Sequence, residues 1–285
     1  MRPLRFAKYQ AAGNDFVVVD DLEGTTPALD AETVSLLCDR WFGVGADGVI
    51  RVSVGVAAPF AFALTNADGT PAEMSGNGIR CVAAFLHAAT QVDADALDVQ
   101  TPAGVKHVTL DLADGLVRGA TVAMGVPNFT KAAIPMRGPA WETFQRQPVQ
   151  VGDLSFTATA LSMGNPHLVL FVDDDPDRYD LEHLGPALEH HELFPERTNV
   201  EFARVGDDAI DVRVWERGVG ETLACGTGAC AVAVAANEAG LAPSRARLRF
   251  RGGTLTVERR EDGEVLLGGP VTHVYDGVVD LDRLA

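Results

Sequence analysis

The stretch "SGNGIRCVAAF", residues 75–85, has a second version, "CGTGACAVAVA", at residues 225–235. In both, a small nucleophilic residue precedes two glycines that flank a single polar residue, and an apolar, helix-compatible run follows. Glycine lets the backbone approach a ligand closely. A helix N-terminus offers unpaired N–H groups and the positive end of the helix dipole to an anion. Both stretches therefore read as pockets for a small anion. Ser75 heads the first, and Cys225 stands in the matching place in the second.

The match is one of four in a collinear series with an offset of about 150 residues. "AAGNDFVVVD" (11–20) resembles "SMGNPHLVLFVD" (162–173). "FALTNADG" (62–69) lies opposite "VRVWERGVG" (212–220), and "GVKHVTLDLADGLVRGATV" (104–122) matches "GGTLTVERREDGEVLLGGPV" (252–271). Such self-similarity is the mark of a duplicated unit. Each half is expected to open with a strand bearing a Gly-Asn pair. A helix, a strand and a Gly-rich turn follow, then a second helix and a closing hairpin. The Asp-Gly pairs between alternating strands are the hairpin signal. The expected fold is α/β (α+β): two pseudo-symmetric lobes, 1–125 and 126–271, with the site in the cleft between them. "MGVPNF" (124–129) is read as the crossover, and residues 272–285 as packing back on the first lobe.

The 285 residues suit two ordinary domains, and 47% apolar content suffices for a sizeable core. With 23 basic against 40 acidic residues the net charge is −17, which argues against nucleic acid and, weakly, against anionic membranes as partners. Apolar runs fall short of a membrane span. The N-terminus lacks a signal-peptide core, so a cytoplasmic location is expected. Four cysteines without a C-x-x-C pair read as reduced thiols. Cys38 is read as core, sharing a helical face with Val34, Leu37 and Trp41 behind an Asp30 N-cap. Cys81 and Cys230 are read as packing residues inside their helices.

At a helix N-terminus the Cys225 thiol is expected to lie below its ordinary pKa. Two facing pockets could hold one carboxylate while a group on each side reached opposite faces of the adjacent Cα. That is racemisation or epimerisation without a cofactor: one base removes the proton and the opposite acid returns one. Donors around the carboxylate would stabilise the enolate-like charge. No metal-ligand spacing, P-loop or dinucleotide fingerprint competes.

The sequence resembles the diaminopimelate epimerase family along nearly its whole length. "GNDFVVVD", "NADG" before "SGNGIRC", "SMGNPH", "FPERTNVEF", "ERGVGETLACGTGAC" and "HVYDG" stand in that family's order. The resemblance implies lobes in which a mixed or antiparallel sheet wraps a central helix. It also implies cofactor-independent interconversion of LL- and meso-diaminopimelate by two cysteines, no metal, and a homodimer. Carried over by position, Cys225 matches the second catalytic cysteine. Gly76, Asn77, Gly226 and Thr227 match the carboxylate cradle, and Asn14, Asn66, Asn165 and Asn199 match substrate-binding asparagines. Glu216 and Arg217 match the pair reading the distal amino acid centre, and Arg217 suits a carboxylate because a guanidinium offers two donors. His167 matches a histidine near the reacting centre.

Two positions depart from the family. Gly48 stands where some members carry a substrate-contacting glutamine, a gap read as one that water fills. Ser75 stands where the first catalytic cysteine is usual. A hydroxyl is far less acidic than a thiol and needs a partner to act as a base. Three readings stay open: a deliberate Cys→Ser replacement, a natural thiol–hydroxyl pair, or a shifted substrate. The competing functions are a proline racemase-like epimerase or dehydratase acting on hydroxyproline or histidine, and a diaminopimelate-binding form without turnover.

Overall fold

The computed structural model describes residues 2–72, 75–90 and 95–284, so residues 73 and 74, just before Ser75, lie outside it. The chain divides into two compact units, residues 1–123 with 268–285, and residues 124–267.

In the first unit β1 (Pro3–Ala11) and β2 (Asn14–Asp21) form a hairpin closed by Ala12 and Gly13, at φ 52° and 83°. This two-residue turn, left-handed at both positions, matches the strand twist. α1 (Ala31–Cys38) begins at Asp30, whose carboxylate accepts the Thr33 N–H, and it buries Val34, Leu37 and Cys38. Trp41 does not share that face. Asp39 Oδ1 accepts the Trp41 and Phe42 amides at 2.7 Å, turning the chain out of the helix. Trp41 is 89% exposed.

β3 (Gly48–Val54) runs parallel to β2, β4 (Phe60–Asn66) antiparallel to β3, and β5 (Pro71–Ala72) antiparallel to β4. After α2 (Gly76–Thr90), β6 (Ala96–Thr101) pairs parallel with β4 and antiparallel with β7 (Gly104–Ala113). β7 turns through Asp114-Gly115, at φ 54° and 73°, into β8 (Leu116–Gly125).

The second unit contains β9 (Phe144–Val151), β10 (Leu154–Ser162), β11 (Pro166–Phe171), α3 (Leu181–Glu189), β12 (Asn199–Val205), β13 (Ile210–Glu216) and β14 (Gly220–Thr222). α4 (Gly226–Glu238), β15 (Arg245–Phe250), β16 (Gly253–Arg259) and β17 (Val265–Pro270) follow. β10–β11 is antiparallel, β11–β12 parallel, β12–β13 and β13–β14 antiparallel, β13–β15 parallel and β15–β16 antiparallel. This is the pairing sequence of the first unit from β1–β2 to β6–β7. Between its two helices each unit holds a strand pair and a short third strand, where the sequence pattern led to one strand. The second Asp-Gly also differs from the first: Arg260 to Glu264 form a longer loop, with only Gly263 at positive φ. Finally β18 (Thr272–Asp280) pairs antiparallel with β1.

Each unit encloses one helix. α2 packs on β1, β2, β3, β4, β7 and β18, and α4 on β10, β11, β12, β15 and β16. Residues Gly226 to Ala236 of α4 are all buried, which explains its Ala/Val composition: an enclosed helix has no solvent face. It ends at Ala239, and Gly240 at φ 69° is the left-handed residue beyond the cap. Among the described residues no helix is long and apolar enough to cross a membrane.

Candidate active site

Cys225 is the N-cap of α4. Its extended backbone (φ −121°, ψ 122°) lets Sγ turn back and accept the Gly228 N–H at 3.4 Å. Gly226 and Thr227, in the first turn, have N–H groups that no intrahelical carbonyl can reach. Thr227 Oγ1 lies 3.4 Å from Sγ. Glu216, at the end of β13, hydrogen-bonds Cys225 and accepts the Thr222 hydroxyl at 2.5 Å.

These neighbours reverse the expectation of a more acidic thiol. Burial pushes the Cys225 thiol well above the ordinary thiol range, and the Glu216 and Glu201 charges push it further. The Thr227 and Gly228 hydrogen bonds act the other way and are outweighed. Burial also raises the Glu216 carboxyl, against the bonds from Thr222 and Cys225. Desolvation of a charge outranks a helix terminus. The resting thiol is neutral, and the adjacent carboxyl is a stronger proton acceptor than an exposed one.

His167 sits on β11, fully buried, between Glu201 Oε1 (2.6 Å from Nδ1) and Asn165 Oδ1 (2.9 Å from Nε2). Asn165 in turn donates through Nδ2 to Thr227 Oγ1 at 3.2 Å. His167 thus reaches Cys225 through two side chains. Asn199 is committed within the protein: Nδ2 donates to the Pro166 carbonyl, and Oδ1 accepts the Arg217 N–H at 2.9 Å. It sets the backbone on which the exposed Arg217 side chain stands. Glu216 and Arg217, neighbours in sequence, have different surroundings, one against the thiol and one in solvent.

In the first unit Ser75 Oγ accepts the Gly78 N–H at 2.9 Å, and the Ser75 carbonyl accepts from Ile79. This is the same cap with oxygen in place of sulfur. The fully buried Arg80 guanidinium donates to the Gly76 carbonyl (3.1 Å) and to Asn77 Oδ1 (2.7 Å). Asn77 Nδ2 donates to Asn14 Oδ1 at 3.3 Å. Asn14 donates to Asp47 Oδ2, which also accepts the Asp15 N–H, and Arg40 bridges Asp15 and Asp47 at 2.7 Å. Asn66 ends β4 opposite Gly48, bonded to Thr70.

A Cβ on Gly48 would lie 2.7 Å from the Thr65 carbonyl, so the backbone here is too close for a glutamine without a shift. Steric closeness of β3 and β4 selects glycine, rather than an open gap for water. The sequence pattern also passed over Arg80, Asp47, Thr222 and Glu201. Each acts through a flagged residue: Arg80, Thr222 and Glu201 stand inside quoted motifs and Asp47 beside Gly48, but nothing in their spacing marks their partners. All four cysteines are free and buried, and burial takes the Cys81 thiol up to about 12. Among the described residues no group of three or more His, Cys, Asp or Glu is placed to hold a metal ion.

The diaminopimelate epimerase family profile matches residues 6–130 and 159–274. Diaminopimelate epimerases of Synechococcus sp. (strain JA-3-3Ab) and Acetivibrio thermocellus are 46% and 40% identical over 281 and 283 residues. These alignments cover 96% and 99% of this chain, and 97% and 100% of those proteins. Among solved structures, a hydroxyproline epimerase from Agrobacterium vitis aligns with a TM-score of 0.67 at 16% identity, covering 98% of this chain and 91% of that one. A Bacillus anthracis phenazine biosynthesis protein of the PhzF family gives 0.67 at 13%, covering 98% and 100%. These distant structures share the fold. The close and full-length sequence matches carry more: the chain belongs to the diaminopimelate epimerase family and is an isomerase of that type.

Proposed function

We propose that this chain interconverts LL- and meso-diaminopimelate by proton transfer at Cα, with Cys225 serving one face and Ser75 the other. The observation that carries the reading is the Cys225 cap. A buried thiol, two first-turn amides and a carboxyl of raised basicity converge on one point, which suits removal and return of a proton beside a bound carboxylate. Because the resting thiol is neutral, Glu216 takes its proton when Cys225 acts as the base. When Cys225 acts as the acid the thiol donates directly. Ser75 delivers its hydroxyl proton to a strongly basic carbanion more readily than it extracts one. Both directions cross the same barrier, so the hydroxyl slows the two alike.

The cradle residues Gly76, Asn77, Gly226 and Thr227 hold the reacting carboxylate in this reading. Asn14, Asn66, Asn165 and Asn199 order the substrate, and Arg217 takes the distal carboxylate. The enzyme works as a cytoplasmic homodimer in lysine biosynthesis. Incubation with LL-diaminopimelate in deuterated water, followed by NMR, tests the assignment. Deuterium is expected at Cα with inversion, and faster inversion in Ser75→Cys. Undiminished exchange in Cys225→Ala would remove Cys225 from the mechanism.

A further inference from the structure

We infer that Glu201 is a positioning residue for the Cys225 thiol, acting through His167, Asn165 and Thr227. The inference rests on the reading of Cys225 as a proton carrier. Glu201 is fully buried on β12; Oε1 accepts from His167, and Oε2 has no partner among the described residues.

The fold itself does not require this pair, and the duplication supplies the control. Phe16 pairs with Gly48 in the first unit as His167 pairs with Asn199 in the second. Two residues on, Ile50 pairs with Val18 as Glu201 pairs with Val169. A Cβ on Gly78 would meet Ile50 Cδ1 at 3.3 Å, and one on Gly228 would meet Glu201 Oε1 at 2.8 Å. Phe16 and Ile50 are thus the apolar counterparts of His167 and Glu201, and the same strand pairing forms around both. A buried ion pair is weak support for stability compared with apolar packing.

Hydrogen-bond direction gives the pair its use. Oxygens face both ring nitrogens, Glu201 Oε1 at Nδ1 and Asn165 Oδ1 at Nε2, an arrangement in which the ring is the donor to both. Asn165 then accepts at Oδ1 and donates from Nδ2 to Thr227, leaving the Thr227 hydroxyl to donate to Sγ. A run of donors ending on sulfur favours the thiolate. Without the Glu201 carboxylate at Nδ1 the ring can accept at Nε2; the Asn165 amide then turns over, Thr227 donates to Asn165, and the chain favours the thiol. Glu201 sets which way the chain runs. The charges bearing on Cys225 are Glu216 on β13 and Glu201 itself, and His167 on β11 bears on Glu216. Both carboxylates oppose a thiolate, and the donor chain offsets part of that opposition.

The test uses the full chain, Glu201→Gln, and a double variant, His167→Phe with Glu201→Ile, that copies the first unit. Nitrogen-15 NMR of the ring should find the His167 Nδ1 resonance displaced in Glu201→Gln, and the Nε2 resonance displaced with it as the Asn165 amide turns over. Glu201→Gln should lower kcat on the order of tenfold with KM within about threefold. The double variant should melt at or above the temperature of the unaltered protein while losing rate. An Nε2 resonance unchanged in Glu201→Gln, an unchanged kcat, or a double variant that cannot fold would overturn the inference. Absence of any diaminopimelate turnover in the unaltered protein would instead strike the functional reading, and the ring measurement would still decide this one.

Discussion

The N-termini of α2 and α4 are built by one device and furnished differently. At each, the residue before a Gly-x-Gly turn folds its side chain back onto the third helical N–H, through Oγ in Ser75 and Sγ in Cys225. Around Ser75 the buried ionic group is a cation, Arg80, which pins Gly76 and Asn77. Around Cys225 the ionic groups are carboxylates, the half-buried Glu216 and the buried Glu201, with His167 beside them. Capping geometry survived the duplication because the backbone demands it. The ionic surroundings diverged because they bear on chemistry: a cation steadies a cradle for an anion, while carboxylates hold a thiol protonated until it is needed.

The largest break in that comparison is Cys225→Ala. Loss of the proton carrier should cut kcat/KM for LL-diaminopimelate by ~10³-fold or more, about 4 kcal/mol of transition-state stabilisation, in a coupled assay. Next is Ser75→Cys, which makes the two caps alike. Turnover should rise on the order of tenfold or more, since a thiol gives and takes a proton more readily than a hydroxyl; no gain would mean Ser75 stands outside the proton path.

Arg80→Leu removes the cation particular to the first cap. With Gly76 and Asn77 released, KM should rise about tenfold, and denaturant unfolding should report a loss of roughly 2–3 kcal/mol, typical of hydrogen bonds to a buried charge. A change confined to stability would reduce Arg80 to a core residue.

The smallest effects are those of pH. Since burial holds the Cys225 thiol well above its ordinary value, alkylation of the free enzyme should be slow near neutrality and accelerate only in alkaline solution. Rapid alkylation at neutral pH would contradict the neutral resting thiol. Asp15 goes the other way. Burial alone would raise its carboxyl, but Arg40 and Lys8 outweigh burial and hold it below the ordinary range. A lowered folded value contributes stability that is present above the unfolded value of about 4 and is lost as pH falls through the folded one. The acid decline in melting temperature should therefore be shallower in Asp15→Asn.

The repeat, the two caps and the closing hairpins were legible in the sequence because each is written in local chemistry: Gly-x-Gly before an apolar run, Asp-Gly between alternating strands, Asp30 before α1. Trp41 was misplaced because the Asp39 side chain, not apolar periodicity, decides where α1 stops. Likewise Asp-Gly marks both hairpins but makes a two-residue turn only after β7.

By itself, then, the sequence determined the duplicated α/β plan, the placement of Ser75 and Cys225 at helix starts, and the family. The tertiary structure alone decided the protonation of the site. It gathers Glu216, Glu201 and His167 about one buried sulfur, and desolvation there outweighs the helix terminus that local reasoning had favoured. It alone tied Arg80 to Asn77, and it set Gly48 against the Thr65 carbonyl. Local propensity is carried by neighbours in the chain, whereas burial and charge depend on residues brought together from distant strands.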